Sequence, residues 1–158
     1  MGNRMMLLDT HALVWYLTDD SRLPKVTRDQ ISRDPLVYVS AAVIWEIAIK
    51  GAAGKLELAG KPIDSVEAVN AIVNECIAQQ FELLDISASQ AAQAPFLKGG
   101  HKDPFDRMLA AQAIQKGSSL VSCDAAFDRM GPEIQRLWAD NPAEDLQRKP
   151  VKKAPPKR

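Results

Sequence analysis

The chain has 158 residues, of which 46% are hydrophobic and 25% are charged, with 20 basic and 20 acidic side chains. This is the composition of a globular domain with its own core, so it excludes a disordered chain, a collagen-like repeat and a small disulfide-stapled protein. A formal net charge of zero gives no general electrostatic signal for nucleic-acid binding.

Cysteine usage and hydropathy further limit the classes of protein to which this chain can belong. Cys76 and Cys123 do not have Cys-x-x-Cys spacing, so the sequence indicates neither a zinc site nor a disulfide framework. The apolar run near the N-terminus is too short for a secretory signal and is interrupted by Asp9. No stretch approaches the ~18 apolar residues of a membrane span. We therefore expect a cytoplasmic protein that does not enter a membrane.

Short apolar runs rich in β-forming residues recur along the chain. Runs of this kind are typical of strands that are buried on both faces of a parallel sheet. The predicted strands cover residues 5–8, 36–39, 81–86 and 120–123, and residues 134–138 form a further edge strand or a helical turn.

Helical patterns lie between these strands. Ser40 and the Asp103-Pro104 pair are good helix starts, while Gly51 and Gly54 are expected to end the helix that begins after Ser40. Because strands and helices alternate, the sequence predicts an α/β domain with a parallel sheet and right-handed crossovers. The predicted helices cover residues 10–17, 41–50, 62–80, 87–94 and 104–116, with turns and one short helix in 18–35.

The C-terminal segment differs from the rest. Residues 141–158 are rich in Pro and Lys and carry six basic and two acidic side chains. Such a composition predicts a flexible basic tail. We therefore expect one folded domain over residues 1–140 and a tail over 141–158.

Four acidic residues fall where an open parallel sheet gathers its ligands, at the carboxyl ends of the strands. Asp9 and Asp124 follow predicted strands, and Glu46 and Asp106 lie in helices that come after the strands. Carboxylates brought close together raise one another's pKa unless a cation joins them, and Mg²⁺ prefers oxygen ligands. A cation held there can acidify a water and stabilise charge on a phosphate, so the pattern suits phosphodiester cleavage.

Each acid also has a structural interpretation. Asp9 could end a strand, Asp106 could form a capping-box variant with Asp103, and Asp124 could cap a turn. Glu46 is harder to explain in this way, because it lies within an apolar helical stretch and needs a partner or a water-filled cleft.

Other polar and aromatic residues give weaker signals. His11 and His101 could be metal ligands, but a single histidine near an apolar face is more often packed. The three tryptophans are interpreted as core or interface residues, because no basic stretch is interleaved with them as in a base-stacking platform. Lys102 and Arg107 flank Asp106 and could hold phosphate or be solvated surface charges.

Four segments occur in a characteristic order: LLDTHALVWYL, VSAAVIWEIAIKGAAGKLEL, HKDPFDRMLAAQA and LVSCDAAF. Together they resemble the PIN-domain nucleases, in particular the VapC-type toxins of bacterial toxin–antitoxin pairs. The resemblance implies a three-layer α/β/α fold with a central parallel sheet of four to five strands. It also implies an endoribonuclease that cleaves RNA and depends on Mg²⁺ or Mn²⁺.

The resemblance assigns catalytic roles to the four acids. Asp9 in LLDTH, Asp106 in PFDRMLAAQA and Asp124 in SCD are the implied metal ligands, with Asp9 and Asp106 the most direct. Glu46 in IWEI completes the set and would contact the metal through water. Ser122 stands where the family often has Thr, so a hydroxyl is retained at that position.

Substrate contacts and partners also follow from the resemblance. Ser122, Lys102 and Arg107 are candidate contacts to the RNA, and the expected partners are a cognate antitoxin and a second copy of the chain in a homodimer. The loop APFLKGGHKDPF differs from the Leu-Pro stretch commonly found before this histidine, so the rim of the site is expected to differ from the family pattern.

Other functions remain open at this point. The same acids could serve a nuclease in DNA or RNA processing, or a scaffold that binds RNA without cutting it. A receiver-like module with an acidic pocket shares the parallel sheet and would use a phosphorylatable aspartate after the third strand, near Asp85. The sequence indicates neither the RNA target nor the number of metal ions.

Overall fold

Five parallel strands form the sheet at the centre of the fold. The structure is a computed structural model that describes residues 5–99 and 102–139, so the predicted tail over 141–158 lies outside the described residues. The strands are β1 (Met5–Leu8), β2 (Leu36–Ser40), β3 (Glu57–Leu58), β4 (Lys61–Pro62), β5 (Glu82–Leu84), β6 (Ser119–Val121) and β7 (Arg136–Leu137). Of these, β3 and β4 form a separate antiparallel hairpin.

The strand order of the main sheet is β5-β2-β1-β6-β7, and every pairing is parallel. The chain moves outward from β1 through β2 to β5 and then returns to the other side of β1 to form β6. The order therefore reverses between β1 and β6. In open α/β sheets, a crevice for ligands forms at the carboxyl ends of the strands at such a reversal.

Helices connect the strands and cover the sheet. They are α1 (Thr10–Leu17), α2 (Lys25–Arg33), α3 (Ala41–Ala52), α4 (Val66–Ala78), α5 (Ala88–Gln93) and α6 (Pro104–Lys116), with short 3₁₀ turns at Ala94–Phe96 and Ala125–Arg129. The predicted α/β class with a parallel sheet is confirmed, and the sheet has five strands. No helix among the described residues has the length and apolar character needed to cross a bilayer.

The core lies around the two central strands. The side chains of Leu7 and Leu8 in β1 and of Leu120 and Val121 in β6 are completely buried, although they point alternately to opposite faces of the sheet. Burial on both faces explains why these runs are apolar without alternation.

The segment after α3 differs from its prediction. A helix was expected over 62–80, but α4 begins only after Ser65, whose hydroxyl accepts the main-chain N–H of Ala68. The residues before it form the β3–β4 hairpin, and Ile63 packs into the core. The apolar spacing that suggested a longer helix thus includes a residue buried by the hairpin.

Gly51 also has a different role from the one expected. It lies inside α3, which continues to Ala52, so it does not end the helix. A Cβ at this position would come within 1.9 Å of the main-chain oxygen of Ile63. The glycine therefore permits close contact between α3 and the chain that leaves the hairpin.

We expect Gly51→Ala to destabilise the protein by about 1–3 kcal/mol, because the clash is with backbone that must move. In an unobstructed helix, alanine is more stabilising than glycine by about 0.5–1 kcal/mol. The clash is therefore expected to reverse the sign of the change in stability at this position. The measurement is the free energy of unfolding in urea, with Ala52→Gly at the exposed next position as the control for helix propensity. Increased stability of Gly51→Ala would contradict the close approach.

Candidate active site

Asp9 lies between the end of β1 and the start of α1, at the reversal of strand order. Its main-chain N–H donates to the carbonyl of Val121 in β6, at 3.1 Å, and its side chain caps α1 by accepting the N–H of Ala12 at 2.8 Å. The residue is only 5% exposed. The sequence places it there because an apolar strand ends at a residue that also suits a helix N-cap.

Burial is the main influence on the charge of Asp9. It raises the pKa of the carboxyl above the usual 3.8, and the nearby charge of Glu46 raises it further. Hydrogen bonds from the Ser122 hydroxyl and the Ala12 N–H, and the charge of His11, act in the opposite direction. Within the described residues, no lysine or arginine forms an ion pair with Asp9.

Ser122 connects the ends of the two central strands. Its buried hydroxyl hydrogen-bonds the carboxyl of Asp9 and accepts the main-chain N–H of Asp124 at 3.0 Å. Asp124 itself is exposed and caps the following 3₁₀ turn by accepting the N–H of Ala126 at 2.9 Å. One hydroxyl therefore joins Asp9 to the chain segment that carries Asp124.

Glu46 reaches the same edge from α3. One carboxylate oxygen accepts the hydroxyl of Thr10 at 2.5 Å, and the other pairs with the ammonium of Lys50 at 3.0 Å. Because Thr10 directly follows Asp9, this bond holds the buried Glu46 carboxylate beside the start of α1. Glu46 thus has the partners that its apolar sequence context requires.

Asp106 lies in the first turn of α6. The main-chain N–H groups of Asp106 and Phe105 donate to Asp103, which is the N-cap, as its sequence position indicates. The Phe105 ring packs edge-on against Trp45 of α3, with 5.4 Å between ring centroids. Since Glu46 and Asp106 are the next residues after this aromatic pair, their two helical turns are neighbours.

Cys123 provides a further sign that these charges share one edge. The charges of Asp9 and Asp124 both raise the pKa of its thiol, after the larger effect of burial, whereas Arg136 lowers it. Effects of this kind decay within about a Debye length of 10 Å. The Cys123 thiol is therefore close enough to Asp9, as well as to its sequence neighbour Asp124, for both charges to act on it.

The four acids do not form a closed cage. Across residues 5–99 and 102–139, no three Asp, Glu, His or Cys side chains are grouped so that they could hold a metal ion. Contacts connect Asp9 to Glu46 through Thr10 and to the Asp124 segment through Ser122, and the helical turn that carries Asp106 packs beside the turn that carries Glu46. These contacts leave the assignment of the four acids as a prediction.

The donor set nevertheless suits a hard divalent cation. Mg²⁺ commonly uses one or two protein carboxylates and completes its coordination with waters and phosphate oxygens. A desolvated Asp9 with a second carboxylate nearby would gain stability from a cation of this kind. The side chains here therefore fit a partly hydrated Mg²⁺ or Mn²⁺ better than a fully protein-enclosed ion.

The two candidate phosphate contacts differ. Arg107 donates to the carbonyls of Leu97, Gly99 and Ala94 at 2.7, 3.0 and 3.4 Å, so its guanidinium holds the loop before α6. Lys102 is exposed. A contact between either residue and RNA stays a prediction, and for Arg107 it would compete with the loop carbonyls.

Arg136 was missed by the sequence reasoning. Its side chain is only 8% exposed, forms two 3.0 Å bonds with the carboxylate of Asp128, and donates to the carbonyl of Ser122 at 3.2 Å. It therefore fixes the segment that leads to Asp124. The only available signal was its place in the predicted final edge strand, which pairs with β6 beside Leu120.

Fold and site together define an α/β domain with buried acidic groups where the order of its parallel strands reverses. The family model described as the PIN domain matches residues 6–132, and the chain belongs to this family. The resemblance drawn from the four sequence segments is thereby confirmed. No curated protein matches the sequence.

Solved structures share the fold. The chain is similar to the complex of VapBC2 from Rickettsia felis with a promoter DNA fragment (TM-score 0.62, 18% identity, 85% of this chain, 98% of that chain). It is also similar to DNA-bound VapBC from Salmonella typhimurium, with a TM-score of 0.62 and 21% identity over 85% of this chain and 97% of that chain. A third similar structure is VapC20 from Mycobacterium tuberculosis, which is described as a toxin that cleaves the sarcin–ricin loop. Its TM-score is 0.55, with 17% identity over 78% of this chain and 92% of that chain.

The receiver-like alternative is wrong. Asp85 follows β5, which is an edge strand, and β2 lies between β5 and β1. With strands about 4.8 Å apart, Asp85 is separated from Asp9 by two strand spacings, roughly 10 Å. Membership of the PIN family independently excludes a receiver domain.

The raised pKa of Asp9 predicts a specific pH dependence of stability. The folded state binds the Asp9 proton more tightly than the unfolded state, so this group stabilises the fold below pH 3.8, and that contribution is lost as the pH rises through the folded pKa. Asp9→Asn removes the buried charge and should stabilise the protein at pH 7 by about 1–3 kcal/mol. The gain should shrink as the pH falls.

The measurement is urea unfolding of wild type and Asp9→Asn between pH 4 and pH 7. Asp64→Asn, at an exposed aspartate between the hairpin and α4, is the control and should show no comparable gain. An Asp9→Asn variant that is less stable than wild type at pH 7 would show that the charge is not destabilising.

Proposed function

We propose that this protein is a metal-dependent endoribonuclease, with a four-carboxylate Mg²⁺ or Mn²⁺ site, and the toxin of a toxin–antitoxin pair. The observation that carries the proposal is the buried Asp9 carboxyl at the strand-order reversal, bonded to Ser122 and close to Glu46. Membership of the PIN family supports nuclease chemistry at this position.

The proposed roles of the acids are those that the resemblance to the PIN-domain nucleases implies. Asp9 and Asp106 hold the metal most directly, and Asp124, on the exposed side of Ser122, completes the set or holds a second ion. When bound, the cation acidifies water and neutralises charge on the phosphate. Glu46 orients the attacking water and accepts its proton.

The environment of Glu46 suits such a role. Its two carboxylate oxygens are held by different groups, Thr10 and Lys50, so the side chain is fixed before substrate binds. A fixed general base avoids the cost of ordering a flexible side chain during reaction.

RNA is the proposed substrate because of the solved relatives. VapC20 is described as cleaving the sarcin–ricin loop, and it shares the fold with this chain. Recognition of RNA commonly uses unstacked bases in loops or single strands.

A cognate antitoxin is the proposed partner, because the resemblance to VapC-type toxins implies one and two of the similar solved structures are VapBC complexes. Apolar side chains are available for such an interface or for a homodimer. Trp45 on α3 is 61% exposed, and Val66 and Ile77 of α4 are also exposed, whereas Ile72 and Cys76 of the same helix are buried. The predicted apolar stripe of this region therefore divides between core and surface.

We expect Asp9→Asn and Asp124→Asn each to reduce metal-dependent RNA cleavage by about 100-fold or more, because each removes a carboxylate charge from the proposed metal site. The measurement is the cleavage rate of single-stranded RNA in Mn²⁺ or Mg²⁺, with EDTA added in a parallel reaction. Asp64→Asn is the matched control and should cleave at the wild-type rate.

Two results would change this proposal. Full cleavage by Asp9→Asn, or cleavage that persists in EDTA, would contradict the metal mechanism. Cleavage of duplex DNA, with the same dependence on the acids, would instead favour the alternative of a nuclease in DNA processing.

We expect Ser122→Ala to lower metal affinity or the cleavage rate about 10- to 100-fold, because the hydroxyl bonds the carboxyl of Asp9 and the main chain of Asp124. Ser122→Thr is the control, since it retains the hydroxyl and has the residue that the family often has there. The measurement is the Mn²⁺ concentration needed for half-maximal cleavage. Equal effects of the Ala and Thr variants would indicate that packing, rather than the hydroxyl, explains the loss.

A further inference from the structure

His11 forms an aromatic stack at the edge of the proposed site. It lies in the first turn of α1, two residues after Asp9, and its ring stacks on Trp15 one turn later, with 5.3 Å between centroids and 19° between planes. His11 is exposed, whereas Trp15 is partly buried. The histidine therefore forms the solvent side of the stack.

Trp15 is held from two other directions. The guanidinium carbon of Arg22 lies 4.9 Å from the centre of its ring, and the buried ring of Trp138 lies 6.1 Å away and tilted. Arg22 is itself held by two bonds to the carboxylate of Asp20, at 3.0 and 2.7 Å. A platform fixed in this way loses little conformational entropy when a ligand binds it.

The fold supplies the basic partner that the sequence pattern lacked. Stacking by the tryptophans was judged unfavourable because no basic stretch is interleaved with them. Arg22 nevertheless reaches Trp15 from the loop after α1. Trp15 packs against the core, as predicted, and also contacts this cation.

The stack is close to the reactive position. Asp9 is the N-cap of α1 and His11 lies in the first turn of the same helix, so the imidazole is at the end of α1 that carries the proposed metal ligand. The His11–Trp15 stack, together with Arg22, thus combines an exposed aromatic ring with a cation beside a proposed phosphate-cleaving site. Unpaired nucleotides are bound in proteins by this combination of groups.

We propose that the exposed face of His11 is a stacking platform for one unpaired nucleobase of the RNA, next to the phosphate that is cleaved. This inference rests on the proposed function, and it adds that the nucleotide beside the cleaved phosphate is read by stacking. Its base must be unpaired, and a larger purine gains more stacking contact than a pyrimidine. His11 is accordingly a substrate-binding residue of the site rather than a metal ligand.

The test uses a fluorescein-labelled, unstructured RNA of mixed sequence, about 12 nucleotides long. Affinity is measured by fluorescence anisotropy in an Asp106→Asn background, which prevents cleavage. His11→Ala should weaken binding about 5- to 100-fold, the range for loss of one base–aromatic stack. His11→Tyr retains an aromatic face and should bind within about threefold of the background.

Controls separate stacking from helix stability. Val26→Ala, at an exposed apolar residue of α2, should leave RNA affinity unchanged. A series of RNAs, each with one abasic position, is then compared. At one of these positions, loss of the base should abolish the difference in RNA affinity between the proteins with and without His11→Ala. A merely structural role of His11 would not produce a position-specific effect. In the otherwise wild-type enzyme, His11→Ala should raise KM more than it lowers kcat.

Unchanged RNA affinity in His11→Ala, or equal losses in His11→Ala and His11→Tyr, would overturn the inference. Cleavage of the same RNA by wild-type protein in Mn²⁺ tests the proposed function separately. If wild type cleaves and His11→Ala binds normally, the platform is wrong and the nuclease stands. If wild type never cleaves but the stacking effects are observed, the nuclease is wrong and an RNA-binding surface stands.

Discussion

The desolvated carboxyl of Asp9 is the constraint on which the rest of the site depends. The strand order reverses beside it, and in open α/β sheets a crevice for a ligand forms at such a reversal. A hydroxyl and a main-chain N–H partly compensate its burial, but Glu46 adds a second negative charge nearby. Shifted pKa values of this kind are concentrated at functional sites, because a fold alone gains nothing from them.

Much of the fold could be predicted because its signals are local. The apolar run that ends at Asp9 predicts a buried strand, and Ser40 and Asp103 cap the helices that their sequence positions indicate. The errors occur where distant contacts decide the structure. Gly51 was expected to end a helix, but the carbonyl of Ile63 requires a glycine within it, and no local pattern shows that contact.

In the candidate site, too, some features follow from local sequence and others depend on contacts between distant residues. The positions of Asp9 and Asp124 follow from where their strands end. By contrast, the bond between Thr10 and Glu46, the contact of Arg136 with the Ser122 carbonyl and the approach of Arg22 to Trp15 form across space. They depend on strand order and helix packing, which the sequence pattern did not fix. These contacts determine how rigidly the groups of the proposed site are held.

The most direct test of the account is anomalous diffraction from crystals of the protein grown with Mn²⁺. The account predicts a manganese peak at the carboxyl edge of β1 and β6, within direct ligand distance, about 2.0–2.3 Å, of at least one oxygen of Asp9. Asp106 and Asp124 should line the same site, and Glu46 should reach the ion through water. A peak elsewhere, or none at a manganese concentration that supports cleavage, would contradict the proposal that these acids form one divalent-cation site.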